Sequence, residues 1–463
     1  MLTYFALIVL VACLWATGTR MITVFVIACL FGGSAAASIP GLGGAPLTPA
    51  VFALPFLLVH ALRAGGAGNV TRQITSGPGP WLAWMVAWGV VGAFLLPRVF
   101  LGDTFVNTTD RNSFSLGVSF IPLRPNSTNI TQACYAVGGA AAYFLLSALL
   151  ARDTCLERFR RAVLLLAGLN CLAAVINLAE HLLGFPGVME FVRNANYAQM
   201  DGGEVGGLVR ISGTFPEASA FSAFTVPLFA FTASLWRSGP SRPVAGWLAL
   251  ISFALLAFST SSTAYASLLI YFACLAAAAL WRVLWQGKTP VLDAPALILW
   301  LGLVIVCCVL LLKPELMARV GDFFQVTLLR KLESSSGVER SSWNAQAWIN
   351  FVDTFGLGAG LGSARASSFP MVLLSNLGVV GTALFIAFVV QVLRGAFGAS
   401  DAATAPVARA AGHAVLATLI AASISGTVFD LGMAFYAFAA AAAAGRRRTA
   451  DVPSENVPVH AHA

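Results

Sequence analysis

Charge is scarce in this chain of 463 residues: Asp, Glu, Lys and Arg make up 10% of it, whereas hydrophobic residues make up 58%. This balance excludes a soluble domain of such length. Apolar runs of about 18 residues, long enough to cross a bilayer, recur from end to end. They are continuous and lack the alternation of a transmembrane barrel. The sequence therefore predicts an all-α, polytopic integral membrane protein.

Paired cysteines and clustered histidines are also missing. The eight cysteines have no paired spacing except the adjacent Cys307 and Cys308, and the five histidines are scattered without metal-site spacing. The chain lacks a Walker A sequence, a zinc-binding helix motif and a dinucleotide fingerprint. We therefore predict no disulfide, no metal site and no cofactor, and the net charge of +8 needs no nucleic-acid partner.

Thirteen membrane spans are predicted in a single domain over residues 1–445, followed by a polar, disordered cytoplasmic tail over 446–463. The eighth and ninth are separated only by the five residues from Ser259 to Thr263, so one long or broken span is an alternative there. The predicted spans are 2–17, 21–39, 48–62, 81–100, 132–151, 162–184, 217–236, 244–260, 264–282, 296–313, 370–393, 408–427 and 430–445.

Basic residues predict the orientation, because short loops rich in Lys and Arg face the cytoplasm. If Arg446, Arg447 and Arg448 are cytoplasmic, the N-terminus is outside. The cytoplasmic loops then hold 16 basic and 6 acidic residues, and the outer side holds 11 and 13. The polar outer loops are 101–131, 185–216 and 314–369.

The longest outer loop, 314–369, contains a predicted amphipathic helix. Its apolar residues recur at helical spacing, and Asn344, Gln346, Asn350 and Asp353 occupy the other side. We expect this helix to lie at the membrane interface, with its tryptophans at headgroup level. Packing against the helix bundle is the alternative. The apolar residues are Trp343, Ala347, Trp348, Phe351, Val352 and Phe355.

A glycine-rich stretch follows that helix. From Gly356 to Ser363 every second residue is glycine, which costs a helix ~1 kcal/mol at each position. Glycine also lets successive backbone N–H groups face one concavity, where they bind an anion. Gly358, Gly360 and Gly362 are therefore candidate substrate-binding residues, and a flexible turn is the alternative interpretation.

Two arginine segments are the other candidates for chemistry. Arg210 lies shortly before the seventh span, where helix N–H groups favour a phosphate. Thr214 and Glu217 fit a capping box at that helix start, although Glu217 is also a candidate general base. In the long loop, Arg340 and Arg365 flank the helix and the glycines, with Trp343 beside them.

The motif Arg340-Ser-Ser-Trp343, the glycine stretch and Leu374-Ser-Asn-Leu-Gly-Val-Val-Gly381 resemble the signature of the bacterial O-antigen ligase and polymerase family. Arg210-x-x-Gly213 resembles that family's earlier arginine segment. The similarity covers roughly residues 205–390. It implies a GT-C-like helical glycosyltransferase of the inner membrane, acting on its periplasmic side, with undecaprenyl-diphosphate-linked glycans as donors and Arg210 and Arg340 as the groups that hold the diphosphate.

One departure from the family pattern bears on the reaction. Ligases carry a histidine just before the span that follows the glycine turn, and Ser367 or Ser368 stands there. This favours an exopolysaccharide or O-antigen polymerase, which extends the next lipid-linked repeat unit, over a ligase that transfers the glycan to lipid A core. A chain-length regulator and a flippase are the partners that such a polymerase implies.

A non-enzymatic flippase or transporter is the competing class. It predicts ionisable residues at mid-depth along several spans. In this sequence the charges cluster at span ends and in loops, which favours chemistry at the membrane surface.

The predicted orientation is testable with a single cysteine at Ser335. If the loop 314–369 is periplasmic, the S335C thiol should react with an impermeant maleimide in intact spheroplasts. Labelling that appears only after lysis would invert the orientation.

Overall fold

The computed structural model describes residues 2–39, 45–109, 118–184, 187–195, 204–205, 208–239, 241–287 and 335–450. Among these residues, seven helices are long and apolar enough to cross a membrane. The predicted span 296–313, the first part of the outer loop (314–334) and the tail beyond residue 450 lie outside the described residues. The described chain is predominantly helical, as the composition predicts.

Fifteen helices are described. Seven of them meet the length and hydropathy of a span, namely α5, α6, α7, α9, α11, α13 and α14. In chain order the helices are α1 (Tyr4–Trp15), α2 (Arg20–Ala28), α3 (Pro49–Phe52), α4 (Leu54–Thr75), α5 (Gly79–Val99), α6 (Ser127–Leu150), α7 (Asp153–Leu183), α8 (Val188–Val192), α9 (Ala218–Ser238), α10 (Arg242–Phe258), α11 (Ser262–Gln286), α12 (Ser335–Asp353), α13 (Phe369–Phe397), α14 (Ala405–Ser425) and α15 (Met433–Ala450).

The prediction of one helix over 21–39 is wrong. Helix α2 ends at Ala28, and residues 37–39 form a strand. Beyond the end of the helix, Gly33 donates its N–H to the Thr214 carbonyl at 3.0 Å. A Cβ at Gly33 would lie 2.5 Å from that oxygen, so the two backbones touch. This contact anchors the arginine segment that precedes α9.

Short antiparallel hairpins occupy three connections, a feature that the all-helical prediction does not include. They are β1 (Ala37–Ile39) with β2 (Ala45–Leu47), β3 (Phe105–Thr109) with β4 (Val118–Pro122), and β5 (Glu204–Val205) with β6 (Leu208–Val209). The loop predicted over 101–131 is therefore shorter. Helix α6 begins at Ser127, where the side chains of Asn126 and Asn129 form a reciprocal capping box.

The eighth and ninth predicted spans are separate helices that reverse direction. Phe253 of α10 and Phe272 of α11 both pack on Phe229 of α9. The Tyr265 hydroxyl donates to the Ala257 carbonyl at 2.8 Å across the turn. The alternative of one long span is thereby excluded.

Connections gather at two ends of the helix bundle. At one end, which we call the glycine end, the Arg365 N–H donates to the Asn107 carbonyl at 2.7 Å, and the Arg365 guanidinium reaches Thr427. At the other, the arginine-rich end, Arg160 donates to Ser241 across the α6–α7 and α9–α10 connections. Helices α9 and α14 pack extensively against each other. The segment with Arg210, which leads into α9, is therefore part of the same helix bundle as Arg365.

Helix α13 is unwound where the glycine stretch meets it. Gly378 has φ 62° and ψ −162°, which interrupts the helix and leaves carbonyls without helical partners. The Ser375 and Asn376 carbonyls accept from the N–H groups of Ala359 and Gly360, and the Val379 N–H donates to Gly356. Strand-like pairing thus replaces one turn of helix.

The fit at this crossing leaves no room for a side chain. A Cβ at Gly358 would lie 2.7 Å from the Gly378 nitrogen, and one at Gly362 would lie 2.5 Å from the Thr128 carbonyl oxygen. Both glycines also have positive φ. The positive φ and the lack of room for a Cβ therefore each require glycine at positions 358 and 362.

Gly358→Ala should destabilise the protein by ~3 kcal/mol or more, since positive φ costs ~1–2 kcal/mol and the clash adds a similar amount. Gly102→Ala is the matched control, because Gly102 has φ 82° and open space around it. It should cost only the ~1–2 kcal/mol of its backbone conformation. Thermal unfolding in detergent measures both variants, and equal losses would contradict the packing role of Gly358.

Candidate functional site

Helix α12 packs on the protein through its polar side. Asn350 is 1% exposed and donates its side-chain amide to Thr104 at 3.0 Å and to the Phe105 carbonyl. Gln346 donates to the same carbonyl at 2.7 Å, and the Asn344 side chain accepts the Ser367 N–H at 2.8 Å. The polar residues that the sequence assigns to one helix face thus bind the β3 strand and the chain before α13.

Part of the apolar side of α12, and Phe355 just after it, point away from the protein, whereas Trp343 and Phe351 are half-buried. Trp348 is 51% exposed, Val352 is 54% exposed and Phe355, past the end of the helix, is 86% exposed, whereas Ala347 is buried. An exposed face of this kind suits the boundary of a bilayer better than water. The helix therefore packs on the bundle through hydrogen bonds, which was the alternative, and its placement at the membrane interface stays a prediction.

The glycine N–H groups already have acceptors within the protein. Gly358 donates to the Thr354 hydroxyl at 3.1 Å, Gly360 to the Asn376 carbonyl at 3.2 Å, and Gly362 to the Asn376 side chain at 3.0 Å. They therefore do not form an open anion cradle in this conformation. The glycine stretch acts as a close-packed support that fixes the chain leading to Arg365.

Arg365 and the α12 helix meet through Trp343. The Arg365 guanidinium carbon lies 6.0 Å from the centre of the Trp343 ring, and the guanidinium donates to the Thr427 hydroxyl at 3.1 Å. Burial lowers the pKa of Arg365, which marks a poorly hydrated environment for this cation. Arg340 lies three residues before Trp343 on the same helix, so α12 brings Arg340 towards Arg365.

The segment Arg210–Phe215 is held by buried polar groups. The Asn177 side chain accepts the N–H groups of Ser212 and Gly213 at 2.9 and 3.1 Å. The Arg193 guanidinium donates twice to the Gly213 carbonyl, at 2.9 and 2.6 Å. Sequence reasoning missed both residues. Nothing in the sequence around Arg193 indicates its role. Asn177 could have been noticed, because it is a polar residue within an apolar run.

The capping box predicted for Thr214 and Glu217 is wrong. The Thr214 hydroxyl donates to the Leu30 carbonyl at 2.5 Å, and α9 begins one residue later than predicted, with Glu217 at its cap position and no side-chain cap bond. Thr214 is committed to the contact with the α2 end, so it cannot serve the helix start. The Glu217 carboxylate instead accepts from the Ser219 hydroxyl.

Arg210 retains unused hydrogen-bonding capacity. Its Nε atom is buried and has no partner among the described residues. The adjoining Ile211 packs in one cluster with Leu255, near the end of α10. At the turn that follows α10, the hydroxyls of Thr260, Ser261 and Thr263 are likewise buried without partners in the described chain. From the sequence, these three residues were identified only as the boundary between two predicted spans.

A further carboxylate lies at the glycine end. Asp430, between α14 and α15, accepts the Gly432 N–H at 2.9 Å, as expected for a turn residue. It follows Thr427, which binds Arg365, and Phe429, which packs on Phe369. Glu180, by contrast, accepts the Met189 N–H at 2.9 Å near the start of α8. Asp430 therefore follows the segment that binds Arg365, whereas Glu180 is bonded to the start of α8.

No group of three or more His, Cys, Asp or Glu residues with metal-binding geometry occurs in the described part of the chain. No protein-family model matches the chain, and no curated protein matches it.

Arg193→Leu should destabilise the protein by about 2–3 kcal/mol, because the Gly213 carbonyl loses a charge-assisted pair of hydrogen bonds. It should also expose the segment from Arg210 to Glu217 to limited proteolysis. Arg98→Leu is the control, since Arg98 is an exposed arginine at the end of α5. Unchanged unfolding and protease resistance of R193L would contradict the anchoring role.

Proposed function

We propose that the protein is a polysaccharide polymerase that transfers an undecaprenyl-diphosphate-linked glycan onto the next lipid-linked repeat unit. The observation that carries this proposal is the placement of arginines from two separate segments, both anchored by buried polar contacts, at one end of the helix bundle. Arg210 follows the β5–β6 hairpin, whereas Arg340 and Arg365 belong to α12 and the chain after the glycine stretch. Such an arrangement suits a diphosphate-bearing lipid.

The chemistry requires stabilisation of the leaving diphosphate. When an acceptor hydroxyl attacks the anomeric carbon, the bond from that carbon to the diphosphate oxygen breaks and negative charge develops on the leaving group. Fixed guanidinium groups in a poorly hydrated site stabilise that charge strongly. Arg210 and Arg340 are assigned this role, and Arg365 supports it from beside Trp343, whose ring offers a face for the sugar or its lipid carrier.

A carboxylate is needed to accept the proton of the attacking hydroxyl. Glu217, at the start of α9, and Asp430, between α14 and α15, are the two candidates. Glu217 is bonded to Ser219, and Asp430 is bonded to Gly432 through one oxygen. Asp430→Asn preserves that acceptor oxygen and removes the base. Normal turnover of D430N would leave Glu217 as the base.

Two other functions, a ligase and a flippase or transporter, are the alternatives to a polymerase. A ligase that transfers the glycan to lipid A core would use the same arginines, but Ser367 or Ser368 stands at the position of its histidine. Ser367 is buried, and its N–H is bonded to Asn344. A flippase or transporter requires ionisable groups at mid-depth. In the described spans the charged side chains lie towards the helix ends, and His413, in α14, is bonded to Tyr271.

The proposed function implies a membrane location and partner proteins. The chain would lie in a bacterial inner membrane with a GT-C-like fold, its N-terminus outside and its C-terminus in the cytoplasm. The glycine end, with Arg210, Arg340 and Arg365, would face the periplasm. A chain-length regulator and a flippase would be partners, because polymerised units must be delivered and their number controlled.

Arg210→Ala and Arg340→Ala should each lose ~2–4 kcal/mol of transition-state stabilisation, on the scale of a lost oxyanion donor. Arginine-to-lysine changes should also impair turnover, because lysine keeps the charge but loses the planar fork. The double alanine variant should lose less than the sum of the singles if both serve one diphosphate. The assay is extension of lipid-linked repeat units by purified protein, with and without a chelator.

Arg98→Ala is the matched control, because it removes an exposed arginine from the same end of the bundle. It should retain extension. Wild-type extension by both R210A and R340A would refute the site. If no lipid-linked glycan is extended but the protein moves such a lipid across vesicle membranes, the protein is a flippase.

A further inference from the structure

A cavity of about 540 Å³ opens at the arginine-rich end, away from the proposed polymerase site. Its walls come from the connection between α1 and α2, from α4, and from the junction of α6 and α7. Its volume is within the range of small-molecule sites, ~300–1,000 Å³. The side chains that matter for its chemistry are the polar His60, Arg63 and Arg152 and the apolar Leu14, Phe56 and Val59.

The polar wall is cationic. Arg63 and Arg152 both line the cavity, and none of the described residues that line it is acidic. Arg152 donates to the Ala64 carbonyl, which ties its guanidinium to α4 beside Arg63. Two guanidinium groups without a lining carboxylate favour a negatively charged occupant.

Two helix starts border the same cavity, although the start of α7 also carries the carboxylate of Asp153, which does not line the cavity. Thr17, Gly18 and Thr19 line the cavity immediately before α2, which begins at Arg20, and Arg152 precedes the first residue of α7. The N-terminal ends of helices carry partial positive charge and unpaired N–H groups. The cations and both helix starts therefore act on the same space.

The cavity is also held in shape. The two ring nitrogens of His60 lie 2.9 Å from the Phe56 carbonyl and 3.0 Å from the Ala16 carbonyl. The second contact joins α4 to the end of α1, so the imidazole fixes two walls relative to each other. An occupant would meet a preformed site and would not have to order it.

We propose that this cavity binds the phosphate group of an anionic phospholipid, with the start of its acyl chains against Leu14, Phe56 and Val59. Leu14 is 68% exposed and Val59 is 42% exposed, so the apolar wall opens towards the lipid. Basic pockets between spanning helices on the cytoplasmic side suit anionic head groups, since that leaflet is negatively charged. The site rests on the predicted orientation, with the arginine-rich end in the cytoplasm, and not on the polymerase reaction.

The test uses full-length protein, delipidated in detergent and then titrated with short-chain phosphatidylglycerol or phosphatidylcholine. Native mass spectrometry counts bound lipid, and thermal unfolding reports stabilisation. Phosphatidylglycerol should bind more tightly than phosphatidylcholine. Arg63→Gln and Arg152→Gln should each weaken its binding about fivefold, and the double variant about 30-fold, on the scale expected for a basic residue near a lipid surface.

Arg72→Gln is the matched control, because Arg72 is an exposed arginine of α4 that does not line the cavity. It should bind phosphatidylglycerol like the wild type. Val59→Trp keeps both arginines and fills the cavity mouth, so it should weaken binding without a change of charge. Equal binding of the two lipids, or full binding by the R63Q R152Q variant, would overturn the proposal.

A titration with inorganic phosphate tests whether the cavity binds a lipid phosphate or a soluble one. Inorganic phosphate alone should neither stabilise the protein nor displace phosphatidylglycerol at equal concentration, because it makes no use of the apolar wall. If inorganic phosphate stabilises the wild type as strongly as the lipid does, the pocket takes a soluble phosphate and the lipid assignment is overturned.

Discussion

The glycine end depends on one close approach between two backbones. The stretch from Gly356 to Gly362 lies against the unwound turn of α13 at Gly378, and N–H and carbonyl groups pair where helix bonds are broken. The buried Asn376 side chain completes the crossing by accepting from Gly362 and Ala364 and donating to the Ala364 carbonyl. In a bilayer an unpaired backbone group costs several kcal/mol, so a span can unwind only where such partners exist.

That crossing fixes the chain that carries Arg365. The chain leaves the glycine stretch directly into Arg365, whose N–H is bonded to β3 and whose guanidinium contacts Thr427 and Trp343. Helix α12 is held on the same strand through Asn350, so Arg340 is carried by a fixed support. A second clamp, formed by Asn177 and Arg193, holds the segment that contains Arg210. Preorganised cations of this kind stabilise developing negative charge without reorganisation.

The two ends of the bundle have different chemistry. The glycine end combines buried amides, hydroxyls and a few arginines, which suits recognition of a polar glycan carrier. The arginine-rich end combines exposed guanidinium groups with an amphipathic cavity around His60, which suits lipid head groups. The exposed apolar face of α12, with Trp348 and Val352, adds a boundary contact at the glycine end. A membrane-embedded transferase of lipid-linked substrates would use all three surfaces.

The sequence alone determined the membrane-helical class, the positions of the seven helices long enough to span a membrane, and the existence of the α12 helix, because hydropathy and helical periodicity are local properties. It also singled out Gly358, Gly360 and Gly362, but for anion binding. Only the tertiary structure assigned their N–H groups to Thr354 and to Asn376 of α13, since a glycine pattern does not reveal what approaches it. The end of α2 at Ala28, the use of Thr214 and the roles of Asn177 and Arg193 were likewise decided by contacts between residues distant in the chain.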